Sequence, residues 1–192
     1  GLSSLFDTLK ALTKLINLRI EIVNYAGDSD KWLDSLMKSS KSLLLLKNFH
    51  LDLTINPKIK NKAIVSLAQA LNNMKGLESA SILLNGCFKL SDIEIQALAK
   101  ALEGKADLKV LKLSMAGIPS LSAQSLNCIT QALKRLPNLT ELVFELPSIS
   151  SKASDSLKNF GEALTLMNKL EKLDLGFLEF TGFNDTDIAI LL

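Results

Sequence analysis

A chain of 192 residues that is 47% hydrophobic and carries 41 leucines is long enough to enclose one continuous core. Its 22 basic and 20 acidic residues nearly balance, which excludes the dedicated basic stripe of a nucleic-acid surface, and no apolar run approaches the ~20 residues of a membrane span. Two cysteines without a CxxC pair and a single histidine exclude a disulfide framework and a zinc cage, and lead us to expect a reducing compartment.

In chain order, Leu2, Leu5 and Leu9 come first, at steps of three and four that predict a helix with one apolar stripe. Leu15, Leu18, Ile20 and Ile22 follow, and the alternation of the last three is the period of a strand with one buried face. The same pair of patterns then returns. Leu15, Leu46, Leu77, Leu108, Leu139 and Leu170 stand 31 residues apart every time. With each of these leucines as position 1, apolar residues recur at positions 4, 6 and 8, as in Leu108/Leu111/Leu113/Met115. Ahead of them lie helical stripes such as Ile64/Leu67/Leu71, Ile95/Leu98/Leu102, Leu126/Ile129/Leu133 and Leu157/Phe160/Leu164. Ala70, Ala101, Ala132 and Ala163 fall where a helix must lie close to the sheet. Helix starts are expected at Ser29-Asp30, Ser91-Asp92, Ser122, Ser154 and Asp185, whose side-chain oxygens suit free backbone N–H groups. Gly76, Gly104 and Pro137 occupy the helix-to-strand turns. Trp32 falls just before the stripe of the second helix, where packing at the helix edge is expected.

Helix–strand units repeated without drift predict an α/β solenoid with a parallel sheet. The expected strands lie near 18–23, 49–54, 80–85, 111–116, 142–147 and 173–178, within a single domain over 1–192. Ile188 and Leu191 read as the start of a seventh helix, and neither end carries a polar capping unit, so a piece of a longer array is expected.

The L-x-x-L-x-L-x-L frame resembles the leucine-rich repeat, specifically the ribonuclease-inhibitor-like class, over essentially the whole chain. The resemblance implies a horseshoe with the sheet on its concave face and helices on its convex face. Two departures stand out. That class runs 28 or 29 residues per repeat, and it carries Asn or Cys at position 9. Here position 9 holds Val23, Thr54, Asn85, Ala116, Pro147 and Leu178, so only Asn85 conforms. The 31-residue spacing is similar to arrays common in ciliates and other protists, which implies a cytoplasmic address, ciliary or cytoskeletal.

Catalytic chemistry needs a nucleophile with a base, a metal shell or paired carboxylates. His50 is the only histidine, and Asp52 follows on the same strand face; we read them as a surface pair. No glycine-rich phosphate loop occurs. We therefore expect no enzyme, no cofactor and no metal. Two sequons, Asn138-Leu-Thr140 and Asn184-Asp-Thr186, are short enough to arise by chance.

Positions 3, 5 and 7 alternate with the buried ones and should line the open face of the sheet. In chain order they are Asn17, Arg19, Glu21; Asn48, His50, Asp52; Ser79, Ser81, Leu83; Val110, Lys112, Ser114; Glu141, Val143, Glu145; and Lys172, Asp174, Gly176. The two ends are charged and mixed in sign, while the middle is small or apolar. An apolar centre with a polar rim is the anatomy of a protein-binding patch. The expected role is a non-enzymatic scaffold or adaptor that binds protein partners, with neither nucleic acid nor membrane as partner, inside a larger protein or assembly. The resemblance also admits a GTPase-regulating domain similar to the Ran GTPase-activating protein, or the recognition domain of a larger enzyme or receptor.

Overall fold

The computed structural model describes residues 1–119, 121–146 and 154–177. It consists of six helix–strand units. The helices are α1 (Leu2–Thr8, continued by a 3-10 turn at Leu9–Ala11), α2 (Ser29–Ser40), α3 (Asn61–Asn73), α4 (Asp92–Leu102), α5 (Ala123–Leu133) and α6 (Ser154–Thr165). The strands are β1 (Asn17–Glu21), β2 (Asn48–Asp52), β3 (Ser79–Leu83), β4 (Val110–Ser114), β5 (Glu141–Leu146) and β6 (Lys172–Phe177). All six strands pair in parallel in the order β1-β2-β3-β4-β5-β6. The register joins like to like: Asn17 faces Asn48, Asn48 faces Ser79, and Ser79 faces Val110. Each frame position therefore becomes a row running across the sheet.

The core follows the frame. Phe49, Ala80, Leu111 and Leu142 at position 4 are no more than 1% exposed, and the helical stripes of α3, α4 and α5 join them in one cluster. Ala70, Ala101, Ala132 and Ala163 are buried as their spacing requires. The first unit departs from this. Leu5 is 60% exposed and Leu2 and Leu9 are only partly buried; Phe6 is the residue that turns inward. α1 has a neighbouring helix on one side only among the described residues, so half of its stripe has nothing to pack against. Trp32 lies deeper than a helix edge: it is 1% exposed and stacks on Phe6 with ring centroids 5.1 Å apart.

The strands begin one residue earlier than the hydrophobic pattern suggests, at position 3, and the first four end at position 7. Ladder bonds persist beyond that, as in Ile22 N–H to the Asp52 carbonyl (2.9 Å) and Asn24 N–H to the Thr54 carbonyl (2.9 Å). What ends the pleat is position 10, where Asn24, Ile55, Gly86 and Gly117 all have positive φ. Position 11 then turns inward, with Asn56 and Cys87 at most 1% exposed. Asn56 Nδ2 donates to the Ile22 carbonyl (2.6 Å) and the Leu53 carbonyl (2.7 Å), while its Oδ1 accepts from Tyr25 N–H (2.7 Å). Cys87 Sγ donates to the Leu53 carbonyl at 3.3 Å. The buried polar residue of the loop therefore stands three places after the extra apolar position 8, not at position 9.

Helix starts agree with the sequence at Ser91 and Ser122, but α2 is capped by Asp28, whose carboxylate accepts from Asp30 N–H at 3.1 Å. Asp185, Ile188, Leu191 and the sequon at Asn184 lie outside the described residues.

Candidate partner-binding face

Positions 3, 5 and 7 lie on the face of the sheet opposite the core. A shallow hollow of about 450 Å³ runs along it from β1 to β5. Its lining brings together Asn17, Arg19, Asn48, His50, Ser79, Ser81, Leu83, Lys112, Ser114, Val143 and Glu145. Glu21, Asp52, Val110, Glu141, Lys172 and Asp174 share the face but stand outside the hollow. The floor is made of small residues: Ser81 is 8% and Ser114 4% exposed, so both are more buried than their alternation predicts. Neighbouring longer side chains cover them. Leu83 and Val143 are half-buried beside this floor.

The histidine pairs differently from its expected partner. Asp52 turns to its own backbone, its Oδ1 accepting from Thr54 N–H at 2.8 Å. His50 instead meets the next repeat, with Nδ1 2.9 Å from Ser81 Oγ, while Nε2 lies 3.7 Å from Glu21 Oε1. Burial, then the nearby Arg19 guanidinium, lowers the His50 pKa below the usual imidazole value, against the pull of Glu21 and Asp52. The ring is therefore neutral at pH 7, and hydrogen-bonds through one nitrogen. Ser81 stands in the middle of β3, and its backbone lies within the ladders to β2 and β4.

The charged groups are largely tied to one another. Arg19 pairs with Glu21 on the same strand. Glu141 receives Lys172 at 2.9 Å and Lys112 at 3.3 Å; the hydrogen bond from Lys172, opposed next by burial and then aided by Lys112, holds its carboxyl below the usual range. Glu145 reaches back across β4 to Ser114 and to Asn85, whose Nδ2 lies 3.1 Å away. Gly176 makes that possible: a Cβ there would stand 2.9 Å from Glu145 Cγ. Asn85 also accepts from Ala116 N–H at 2.8 Å. It thus serves the edge of the face, and its isolated agreement with the position-9 pattern was the one signal in the sequence that marked it.

No family model matches the chain, and no curated protein is similar to it. Among the described residues no group of three or more His, Cys, Asp or Glu side chains is arranged to hold a metal ion. None of their helices is long and apolar enough to cross a membrane.

Proposed function

We propose that the chain is a non-enzymatic interaction module of leucine-rich-repeat type, whose concave sheet face receives a protein partner. One observation carries the reading: an open hollow with apolar Leu83 on its central strand and Val143 on β5, set between Asn17, Arg19 and His50 at one end and Glu145 at the other. A partner side chain seated there would cover apolar surface while the polar ends keep its register. The 31-residue frame, the parallel sheet and the buried Asn56 and Cys87 of the loops support the repeat assignment. Against a hydrolytic role, Ser81 lies within the sheet ladder, so its own backbone offers no free N–H to a developing oxyanion. The partner belongs to a larger cytoplasmic assembly in this proposal.

The test is the pair Leu83→Glu with Val143→Glu, which puts two carboxylates onto the apolar surface of the hollow. The wild-type chain and the double variant, each immobilised, are compared for proteins retained from extracts of the source cell. We expect specific retention by the wild type, at least about tenfold loss in the variant, and unchanged circular dichroism. Equal retention by both would move the contact to another face.

A further inference from the structure

Position 10 is left-handed in four successive loops, at Asn24, Ile55, Gly86 and Gly117. Asparagine and glycine adopt that conformation at little cost, whereas a β-branched residue crowds its own backbone there. Ile55 nevertheless occupies it, at φ 57°. Its side chain is 49% exposed, so burial returns little for the strain. Phe88 of the next loop is 53% exposed. Both side chains close over Gly86: Ile55 Cγ1 and Phe88 Cζ each lie 3.7 Å from the place a Cβ would take on that glycine. Two exposed apolar side chains thus form a ridge over Gly86, one of them carried on a strained backbone.

Parallel strands of one sheet end on the same side, so these loops leave a common edge. The same two loops carry Lys58, Lys60 and Lys89, all exposed. None of the three has a carboxylate within ion-pair distance among the described residues. The acid of the neighbouring loop, Asp28, is turned to the start of α2. Asp52 is bonded to Thr54 N–H and Asp92 to Ser122 and Ser125, so these two loops are apolar at their crest, with three exposed cations beside it that lack an acidic partner among the described residues.

We propose that this loop edge docks on an anionic membrane surface, with Ile55 and Phe88 inserted at the headgroup boundary and the three lysines on acidic lipid headgroups. Shape selects the lipid: a ridge requires a matching cleft in a protein partner, whereas a fluid interface receives it as it stands. Charge selects anionic headgroups. Such contact needs no spanning helix, so it replaces the sequence-based expectation of no membrane partner without conflicting with the segment lengths.

The experiment is sedimentation of the whole 192-residue chain with phosphatidylcholine vesicles, with and without phosphatidylserine. The wild type should sediment with the phosphatidylserine vesicles and remain in solution with phosphatidylcholine alone. Ile55→Gly should keep or raise the melting temperature, because strain is relieved, while weakening vesicle binding about tenfold. Phe88→Ala should weaken it to a similar extent. Lys58→Glu, Lys60→Glu and Lys89→Glu should each cost about fivefold or more. Wild type that stays in solution with phosphatidylserine vesicles, or an Ile55→Gly chain that binds as tightly as wild type, overturns the proposal. So does a lowered melting temperature for Ile55→Gly, which would show that isoleucine is kept for packing. Retention by an acidic protein segment in place of the vesicles overturns it as well.

Discussion

A single lysine shows what the frame tolerates and at what cost. The position three before each leading leucine holds Leu12, Leu43, Met74, Lys105, Leu136 and Met167. Lys105 is thus a cation in an apolar row, and it is 2% exposed. Its Nζ donates to the carbonyl of Leu71, which also accepts from Met74 N–H (3.0 Å), and at 2.9 Å to that of Met74, just past the end of α3. Burial, with a smaller effect from Lys75, pushes its pKa down to about 8. An amine keeps two N–H groups after losing a proton, so both bonds survive deprotonation. The unfolded chain holds that proton up to about 10.5, so stability rises with pH between about 8 and 10.5. The rise should amount to roughly 3 kcal/mol. The buried Cys87 thiol, held up to about 11, acts oppositely as pH passes 9, so the effect of Lys105 is read as wild type minus Lys105→Met in urea melts. At pH 7 that variant should be roughly 3 kcal/mol more stable than wild type, with the difference vanishing above pH 10. A variant less stable at pH 7 would mean the two carbonyl bonds outweigh the buried charge.

Between elements, the units are joined at their helix starts as well as through the core. Asp92, the first residue of α4, accepts from Ser122 N–H (2.9 Å), Ser122 Oγ (2.6 Å) and Ser125 Oγ at the start of α5. Burial by itself would raise its pKa, but the bonds from Ser122 and Ser125 together outweigh it and hold the carboxyl below the usual range. Beside it, Glu94 Oε2 takes Ser91 N–H (2.8 Å) and Ser91 Oγ (2.7 Å), which ties the α4 start to itself. Because the folded pKa is depressed, the contribution of Asp92 is complete above the ordinary carboxylate pKa and fades as pH falls below it. Asp92→Ala should lower stability by about 1–2 kcal/mol at pH 7. The gap should narrow in acid melts, because protonation removes the same interactions from the wild type; a constant gap from pH 7 to acid would sink this account. The start of α4 was legible in the sequence. Its hold on α5 was not, since a capping motif says nothing about which neighbour it reaches.

Across the whole molecule, stability rests on stacking. Among the described residues the main contacts of each helix are with its sequence neighbours, and each strand pairs with its own, so each unit buries its apolar face against the units on either side. Leu111, 1% exposed on β4, belongs to that shared surface. Leu111→Asp puts an unpaired carboxylate there and should cost about 4 kcal/mol or more. Hydrogen exchange should then show lost protection in β3 and β5 as well as β4. Loss confined to β4 and its own helix would mean that each unit holds itself together.

The sequence alone determined the helix–strand units, their phase, the parallel order and the division of each strand into an inner and an outer row. A 31-residue period fixes these because every unit must present the same apolar pattern to its neighbours, and one misplaced residue would put a core row into water. It also contains the two misfits in its rows: Lys105 among apolar residues and Ile55 among Asn24, Gly86 and Gly117. Tertiary structure decided what the outer rows do with one another. His50 turned from Asp52 to Ser81, Glu145 crossed to Ser114 and Asn85 over the space left by Gly176, and the serines sank into the floor of the hollow. Those outcomes depend on side-chain length and hydrogen-bond competition between strands about 4.8 Å apart, which hydrophobic periodicity does not encode.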